Sequence, residues 1–291
     1  MLLSEPMNRH TSFQIGGPAD LLIRPKDLDE LSMVFVLLSQ ERIPYFILGA
    51  GANILVSDKG IRGAVIDMSE LKGFALDNDG ERHTLSAMAG TTVNEVCREA
   101  LRLSLSGLEF LYSMPGSIGG SIWMNARCYG SSISEVLNWV EVLGEKGALR
   151  RIKPDSRSFG YKRSPFQGKK VLIYRGAFHL QPGESKDIGQ KMIRFEQDRE
   201  RKGHFLFPCA GSIFKNNRAF GDPTGKIIDS LGLKGYSIGA ARISELQANI
   251  IVNTGNAKAA EVLELIKFIE EKVNSKLGFV LEREVLMVGE W

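Results

Sequence analysis

The sequence has few cysteines and histidines, and neither residue type is arranged for a common metal site. The three cysteines are an odd, widely spaced set without a CxxC pair, which predicts reduced thiols rather than a disulfide framework or structural zinc. The four histidines do not stand in pairs at ligand spacing, so we predict no bound metal.

Long apolar runs and an excess of one charge are also missing. No window approaches 18 consecutive apolar residues, and the opening MLLSEPMNRHTSF has no basic segment that leads into an apolar stretch. The 37 basic and 34 acidic residues are mixed along the chain and give a net charge of +3, without the one-sided basic field of a nucleic-acid binder. We therefore expect a cytoplasmic protein that binds neither a membrane nor a nucleic acid.

The length and the apolar pattern predict several lobes of α+β structure. At 291 residues and 43% hydrophobic, the chain can bury a sizeable core. Apolar periodicity and turn residues predict helices over 27–41, 91–105, 186–202, 226–231 and 257–277, and strands over 20–25, 44–48, 136–144, 148–153, 171–180, 249–253 and 279–287. We expect domains at 1–60, 61–183 and 184–291.

The first glycine cluster, Gly49-Ala50-Gly51-Ala52-Asn53-Ile54, follows the second predicted strand. It keeps only the first two glycines of GxGxxG, and no dozen-residue helix follows, which argues against a Rossmann loop. Glycines without Cβ still let main-chain N–H groups converge on a phosphate, and Asn53 can add a side-chain donor. A tight turn after a buried strand explains the cluster equally well.

The second cluster lies in MPGSIGGSIWMNA, where Pro115, Gly116, Ser117, Gly119 and Gly120 precede an apolar helical turn. Unpaired amides and hydroxyls at such a turn can face a phosphate or a flavin. A helix cap explains Pro-Gly-Ser, but the bare Gly119-Gly120 backbone favours close approach by a flat ligand.

These clusters, together with RHTSFQIGGPAD, GYKRS, CAGSIFKNN, GLKGYSIGAARIS and LEREVLMVG, resemble the UDP-N-acetylenolpyruvoylglucosamine reductase (MurB) family from about residue 10 to residue 289. The length and the short span between Tyr161 and Ser212 resemble its shorter class. The resemblance implies a two-part FAD-binding region of the vanillyl-alcohol-oxidase (PCMH) type, followed by a separate α+β substrate-binding domain. It also implies an FAD-dependent reductase that uses NADPH to reduce UDP-N-acetylglucosamine enolpyruvate to UDP-N-acetylmuramate for peptidoglycan synthesis. We expect it to act as a monomer on small molecules.

The resemblance also implies roles for individual residues. The implied FAD-binding residues are Gly49, Ala50, Gly51, Ala52, Asn53, Ile54, Gly90, Pro115, Gly116, Ser117, Gly119, Gly120 and Asn125. The implied catalytic residues are Ser212, Glu284 and Lys162, and the implied substrate ligands are Tyr161, Arg163, Lys215, Asn216 and Gln247.

Ser212 occupies the family's proton-donor position, and the neighbouring Gly211 can leave its hydroxyl accessible. Serine is a weak acid, so it needs a very basic carbanion or a neighbour such as Lys215 to support its alkoxide. Without the resemblance, Ser212 would be interpreted as a turn residue.

Glu284 is selected by the resemblance and not by geometry. In the predicted strand 279–287, the period of two places Glu282 and Glu284 on the same face, so spacing does not choose between them. The resemblance assigns stabilisation of the enol, or assistance to protonation, to Glu284. We expect Glu282 to be a solvated or paired neighbour.

Five positions depart from the family pattern, and one of them is Ala52, which replaces a common serine in the first loop. Lys162 stands where the family has arginine, and only a slip of register would bring Arg163 there; lysine lacks the planar fork that grips a carboxylate. Arg127 and Cys128 replace small residues in the second loop, and Gln247 stands where many members have histidine. A flavin- or nucleotide-sugar-binding regulator without catalysis, and another FAD-dependent oxidase, are the alternative functions.

Overall fold

The computed structural model describes residues 1–79 and 82–291. The helices are α1 (Leu28–Gln40), α2 (Val93–Arg102), α3 (Ile118–Trp123), α4 (Ser185–Arg201), α5 (Thr224–Ser230) and α6 (Ala259–Leu277). The strands are β1 (Leu2–Pro6), β2 (Pro18–Ile23), β3 (Tyr45–Leu48), β4 (Ile54–Val56), β5 (Ile61–Asp67), β6 (Phe74–Asp79), β7 (Arg82–Met88), β8 (Leu105–Ser106), β9 (Arg127–Cys128), β10 (Ser131–Ser132), β11 (Leu137–Gly144), β12 (Leu149–Ile152), β13 (Val171–Pro182), β14 (Cys209–Ser212), β15 (Ser237–Ile238), β16 (Ala241–Ile243), β17 (Ile250–Asn253) and β18 (Leu286–Val288). Among these helices, none has both the length and the apolar character needed to cross a bilayer.

The chain forms two compact units, and each is made of separate stretches of sequence. The first unit contains Met1, Leu22–Ala50 and Ala64–Asp198, and the second contains Leu2–Leu21, Gly51–Gly63 and Arg199–Trp291. The predicted boundaries near residues 60 and 184 stay a prediction.

The first unit is built on an antiparallel sheet of order β12-β11-β13-β7-β6, with β8 paired to the far end of β13. Short α3 packs on this sheet against β13, where a side chain at Gly176 would overlap Ile122. A core of apolar side chains fills the space between sheet and helices, and includes Leu85, Val96 and Phe178. In the same unit, β3 and the end of β5 pair in parallel.

The second unit centres on an antiparallel sheet of order β14-β17-β16-β15. The apolar stripe of α6 contributes Val262, Leu265 and Ile269 to its core, and Phe13 and Phe214 are fully buried in the same cluster. In a separate two-stranded sheet, β4 pairs in parallel with β18, so that residues 54–56 lie beside residues 286–288. A segment near the first glycine cluster is thereby joined to the C-terminal segment.

Local sequence signals explain where the helices begin. Asp27 caps α1 by accepting a hydrogen bond from the Glu30 N–H at 2.8 Å, and α2 begins with a capping box between Thr92 and Glu95. The predicted helices 27–41, 91–105, 186–202, 226–231 and 257–277 are confirmed to within three residues at each end.

The predicted strand over residues 279–287 is wrong. Only Leu286–Val288 is a strand, and residues 279–285 do not alternate between two faces: Glu282 is exposed, whereas Glu284 and Val285 are consecutive and both buried. The cause is tertiary, because the Glu284 and Val285 N–H groups both donate to the carbonyl oxygen of Ile213. The other predicted strands are present with shifts of one to two residues.

Candidate active site

Close contacts explain why no side chain fits at Gly49 or Gly51 of the first cluster. A Cβ on Gly49 would overlap the Ser117 hydroxyl, so the two glycine clusters contact each other here. Gly51 has a left-handed φ of 62°, and a side chain there would overlap the carbonyl of His10. The Gly51 carbonyl accepts a hydrogen bond from the Ser12 N–H at 3.1 Å, which fixes the turn.

The second cluster begins α3, and its first amides are largely satisfied by the chain itself. Ser117 is the N-cap residue. Three successive N–H groups donate to chain acceptors: Ile118 to the Thr91 carbonyl, Gly119 to the Ala89 carbonyl, and Gly120 to the Ser117 Oγ. The expectation that these amides are unpaired is therefore wrong for residues 118–120.

Packing also accounts for two glycines that the sequence interpretation gave to the ligand. A Cβ on Gly119 would lie 2.9 Å from the Cβ of Ala89, and a Cβ on Gly90 would overlap the carbonyl of Met68. Gly120 differs, because it is exposed and a Cβ there would meet only the Ser117 Oγ, at 3.4 Å. Of the Gly119-Gly120 pair, Gly120 is the one that leaves open backbone at the surface.

Asn125 links the second cluster to the GYKRS segment. It is buried, has a left-handed φ of 46°, and its side-chain amide donates to the Gly160 carbonyl at 2.8 Å. Its side-chain oxygen accepts from the Ser134 N–H at 3.3 Å. Ser164 adds a second link, since its hydroxyl donates to the Trp123 carbonyl at 2.7 Å. The end of α3 and the GYKRS segment are thus held together.

The GYKRS segment forms a tight turn whose central residues are Tyr161 and Lys162. Gly160 and Arg163 exchange both main-chain hydrogen bonds, at 3.0 and 3.1 Å. Lys162 has a left-handed φ of 56°, is half-buried, and holds its ammonium 6.0 Å from the centre of the Tyr161 ring. Arg163 is a paired flanking residue of this turn and is exposed, so Lys162 and not Arg163 lies at the central position.

Two other departures from the family pattern, Arg127 and Cys128, lie in the short hairpin after α3. The Arg127 guanidinium donates to the Gly130 carbonyl at 3.0 Å. The Cys128 Sγ lies 3.8 Å from the Met114 Sδ. Both side chains therefore make contacts within the second loop region.

Ser212 ends β14 next to a β-bulge. Cys209 pairs with Val252 and Ser212 with Ile250, so three steps on one strand match two on the other. Gly211, inside the bulge, has a left-handed φ of 71° and open space where a side chain would stand. A bulge re-aims the next side chain, and the space beside Gly211 next to Ser212 is open; that a ligand lies there stays a prediction.

Glu284 lies on the segment directly hydrogen-bonded to the residue after Ser212. Its N–H donates to the Ile213 carbonyl at 2.7 Å, and only 8% of the residue is exposed. Glu282 is exposed and pairs with Lys215, whose Nζ lies 2.5 Å from its carboxylate. The prediction that Glu282 is a paired neighbour is confirmed, and burial separates the two glutamates where spacing could not.

Thr224 is a site residue that sequence reasoning missed. It is completely buried; its hydroxyl donates to the Lys215 carbonyl at 2.8 Å, and its N–H donates to the Asn216 side-chain oxygen at 2.9 Å. It therefore orients both expected substrate ligands. The Pro223-Thr224 pair at the start of α5 was the available signal, because a threonine there can bond a preceding loop.

Gln247 and Asn249 lie beside these residues. The Gln247 side-chain oxygen occupies the space that a Cβ of Gly225 would need. Asn249 is buried, and its amide both donates to the Phe214 carbonyl at 2.8 Å and accepts from the Phe214 N–H at 3.0 Å. It therefore fixes the main chain between Ser212 and Lys215.

The nearby thiol of Cys209 is not a reactive group. Burial raises the pKa of Cys209, and this outweighs a hydrogen bond from Gly211 and the charge of Arg199. A thiol that stays protonated at neutral pH is a poor nucleophile.

Comparison with known proteins identifies the family. Residues 202–288 match the C-terminal domain of UDP-N-acetylenolpyruvoylglucosamine reductase, and residues 19–153 match an FAD binding domain. The chain is 42% identical over 290 residues to the UDP-N-acetylenolpyruvoylglucosamine reductase of Caldanaerobacter subterraneus subsp. tengcongensis, covering 100% of this chain and 94% of that protein. The chain belongs to the UDP-N-acetylenolpyruvoylglucosamine reductase family.

Two further relatives agree. The reductase of Treponema denticola is 39% identical and is covered over 93% of its length by 99% of this chain. The crystal structure of the Thermus caldophilus reductase (MurB) superposes with a TM-score of 0.82 at 32% identity over 97% of both chains. The predicted family, the predicted fold class and FAD as the cofactor are confirmed by these matches.

The first cluster fits the diphosphate of FAD. In the described part of the chain, the N–H groups of Ala50, Gly51 and Ala52 make no hydrogen bond, and Gly51 has the left-handed φ that lets successive amides converge. Both glycine clusters of this reductase-family chain fall inside the match to the FAD binding domain, whereas Ser212 and Glu284 fall inside the C-terminal match. The contacts of individual residues with FAD stay a prediction.

Proposed function

We propose that this chain reduces UDP-N-acetylglucosamine enolpyruvate to UDP-N-acetylmuramate, with NADPH as the electron donor, in the synthesis of peptidoglycan precursors. The proposal rests on Ser212 and Glu284, which lie on two directly hydrogen-bonded segments of one unit. The extended identity to named reductases supports it.

The reaction adds a hydride to the β-carbon of the enolpyruvyl ether and a proton to its α-carbon. Bound FAD supplies the redox chemistry by carrying the hydride from NADPH to the substrate. The protein must then supply the proton and stabilise the charge that develops on the enolpyruvyl carboxylate.

Ser212 is the proposed proton donor to the α-carbon. The bulge at Gly211 turns its side chain out of the regular pleat and leaves open space beside it. Glu284 is proposed to stabilise the enol form or to assist this protonation, since it is the buried one of the two neighbouring glutamates. The Lys215 ammonium is paired with Glu282, so its support of a serine alkoxide requires that this pair be shared or opened.

Lys162 is proposed to supply the positive charge that the family obtains from arginine. The tight turn and the left-handed φ fix its Cα position, and the residue is half-buried. Its ammonium is a single point charge, unlike the planar fork of an arginine. Tyr161, Arg163, Asn216 and Gln247 are proposed to contact substrate. We also propose that the chain acts as a monomer in the cytoplasm, where its small-molecule substrates occur; light scattering and cell fractionation would test this.

The test uses purified protein reconstituted with FAD. We expect the flavin to be reduced by NADPH and then reoxidised without oxygen when the enolpyruvyl substrate is added, with one product formed per NADPH. Ser212→Ala should keep flavin reduction and lose product formation, because hydride entry and carbon protonation use different groups.

Each alternative function predicts a different result. Tight flavin binding without substrate-dependent reoxidation would favour a regulator, and rapid reaction of the reduced flavin with oxygen alone would favour an oxidase. Full product formation by Ser212→Ala would refute the assignment of the proton donor.

A further inference from the structure

The side chain of Asn53 contacts the main chain of Glu284. Its amide nitrogen donates to the Glu284 carbonyl oxygen at 3.1 Å. In return, the Leu286 N–H donates to the Asn53 carbonyl oxygen at 3.0 Å. All three residues belong to the second unit, and Asn53 is also the last polar residue of the first glycine cluster.

Glu284 is therefore held on both of its main-chain polar groups. Its N–H donates to Ile213, the residue after Ser212, and its carbonyl accepts from Asn53. The regular ladder between β4 and β18 starts only at the next positions, with Ile54 opposite Leu286. Asn53 thus replaces a ladder bond just before both strands begin, at the position of the buried Glu284.

The direction of a side chain is set by the main-chain torsions on either side of its Cα. Loss of the Asn53 bond would leave the peptide after Glu284 held only by the longer bond from the Val285 N–H to the Ile213 carbonyl oxygen, at 3.3 Å, while the shorter bond from the Glu284 N–H, at 2.7 Å, still held the peptide before it. The carboxyl group would then sample several orientations, and a misplaced catalytic group loses rate steeply.

We propose that Asn53 is a positioning residue for Glu284, through which the segment that binds the FAD diphosphate fixes the orientation of the catalytic carboxyl group. The proposal rests on the proposed function for the role of Glu284. It differs from a role of Asn53 as a phosphate donor alone, because a phosphate donor would affect FAD binding but not the step that needs Glu284.

The test separates the two half-reactions in Asn53→Ala and in Asn53→Asp, which keeps the size and loses the donor. Stopped-flow measurement at saturating FAD gives the rate of flavin reduction by NADPH and the rate of reoxidation by substrate; flavin fluorescence gives the dissociation constant of FAD. We expect reoxidation to slow by about three- to tenfold, the effect of one lost hydrogen bond, with a changed pH profile. Reduction by NADPH should stay within about twofold.

Two comparisons isolate the action through Glu284. Asn274→Ala, at an exposed position of α6, is the matched control and should leave both rates unchanged. In a Glu284→Gln background, the Asn53 substitution should slow reoxidation no further, because groups that act as a unit are not additive.

The outcomes divide cleanly. Weaker FAD binding with both half-reactions unchanged at saturation, or fully additive effects with Glu284→Gln, would overturn the proposal. If one substitution prevents folding, the other decides by the same measurements. A wild-type protein whose flavin is not reoxidised by the enolpyruvyl substrate would instead refute the proposed function before Asn53 is examined.

Discussion

Asn249 offers the sharpest test of how the segment between Ser212 and Lys215 is stabilised. Its side-chain amide satisfies both the N–H and the carbonyl of Phe214, at 3.0 and 2.8 Å, and both residues are buried. Asn249→Ala leaves two buried main-chain groups without a partner. Each such group costs about 1–3 kcal/mol, so the expected loss in the free energy of unfolding for the two groups is about 2–6 kcal/mol. A water molecule entering the vacated space would place the result near the lower end of this range.

The assay is urea unfolding followed by intrinsic fluorescence, with native-state hydrogen exchange to locate the loss. We expect a lower midpoint at an unchanged slope, and faster exchange of the Phe214 amide than of amides in the first unit. The exposed Asn274→Ala should change the free energy by no more than about 0.5 kcal/mol. A loss for Asn249→Ala as small as that of the control would refute the reasoning that its two hydrogen bonds hold this segment.

Three further predictions concern other parts of the molecule. Gly119→Ala should destabilise the FAD-free protein by about 1–3 kcal/mol in thermal or urea unfolding, because the added methyl group has no room. The control Gly189→Ala, at a helical site with space for a methyl group, should not destabilise it. Equal stability of the two variants would contradict the packing role of Gly119. Burial raises the pKa of Glu109, but hydrogen bonds from Ser106 and Gly107 outweigh it and lower the pKa overall. The native carboxylate therefore stabilises the fold above its unfolded pKa and loses this contribution as the pH falls. Glu109→Gln should accordingly flatten the decline in the free energy of unfolding between about pH 6 and about pH 3. A decline as steep as that of the wild type would contradict this. Lys162→Ala should lower kcat/KM by about 10- to 100-fold and Arg163→Ala by less than about threefold in steady-state assays; the reverse order would assign the arginine's role to Arg163.

The sequence predicts the helices well because their signals are local. The residues that form the apolar stripe of α1 are close together in sequence, and so are the residues of the capping box of α2. The local pattern alone therefore predicts each of these helices. The N-terminus of α6 shows the limit. The N–H groups of Ala259 and Ala260, at its start, donate to the carboxylate of Asp58, which is about two hundred residues earlier in the chain. No local pattern reveals such a cap.

The errors in the candidate site have the same physical origin. Residues 279–287 have an alternating pattern, but the Glu284 segment bonds to Ile213 and Asn53 instead of to a continuous ladder. Gly119 lies in a loop whose sequence suggests a ligand-facing backbone, but packing against Ala89 also requires that it have no side chain, and its contact with FAD stays a prediction. In each case a contact distant in sequence outweighs the local signal. Ser212 and Glu284 could be proposed only through the family resemblance, because neither spacing nor periodicity distinguishes them.

The pairing of β4 with β18 has a consequence for how the protein is made. A ribosome releases residues 54–56 early, yet in the described chain their strand partner is residues 286–288, and Asn53 and Glu284 are 231 residues apart. The second unit, drawn from three separate stretches, therefore waits for the end of translation, while most of the first unit is already available to fold. During that interval the apolar β4 lacks its β18 partner, and an unpaired strand edge is prone to aggregation. A nascent chain cut short before Glu284 lacks both this carboxyl group and the strand that pairs with residues 54–56.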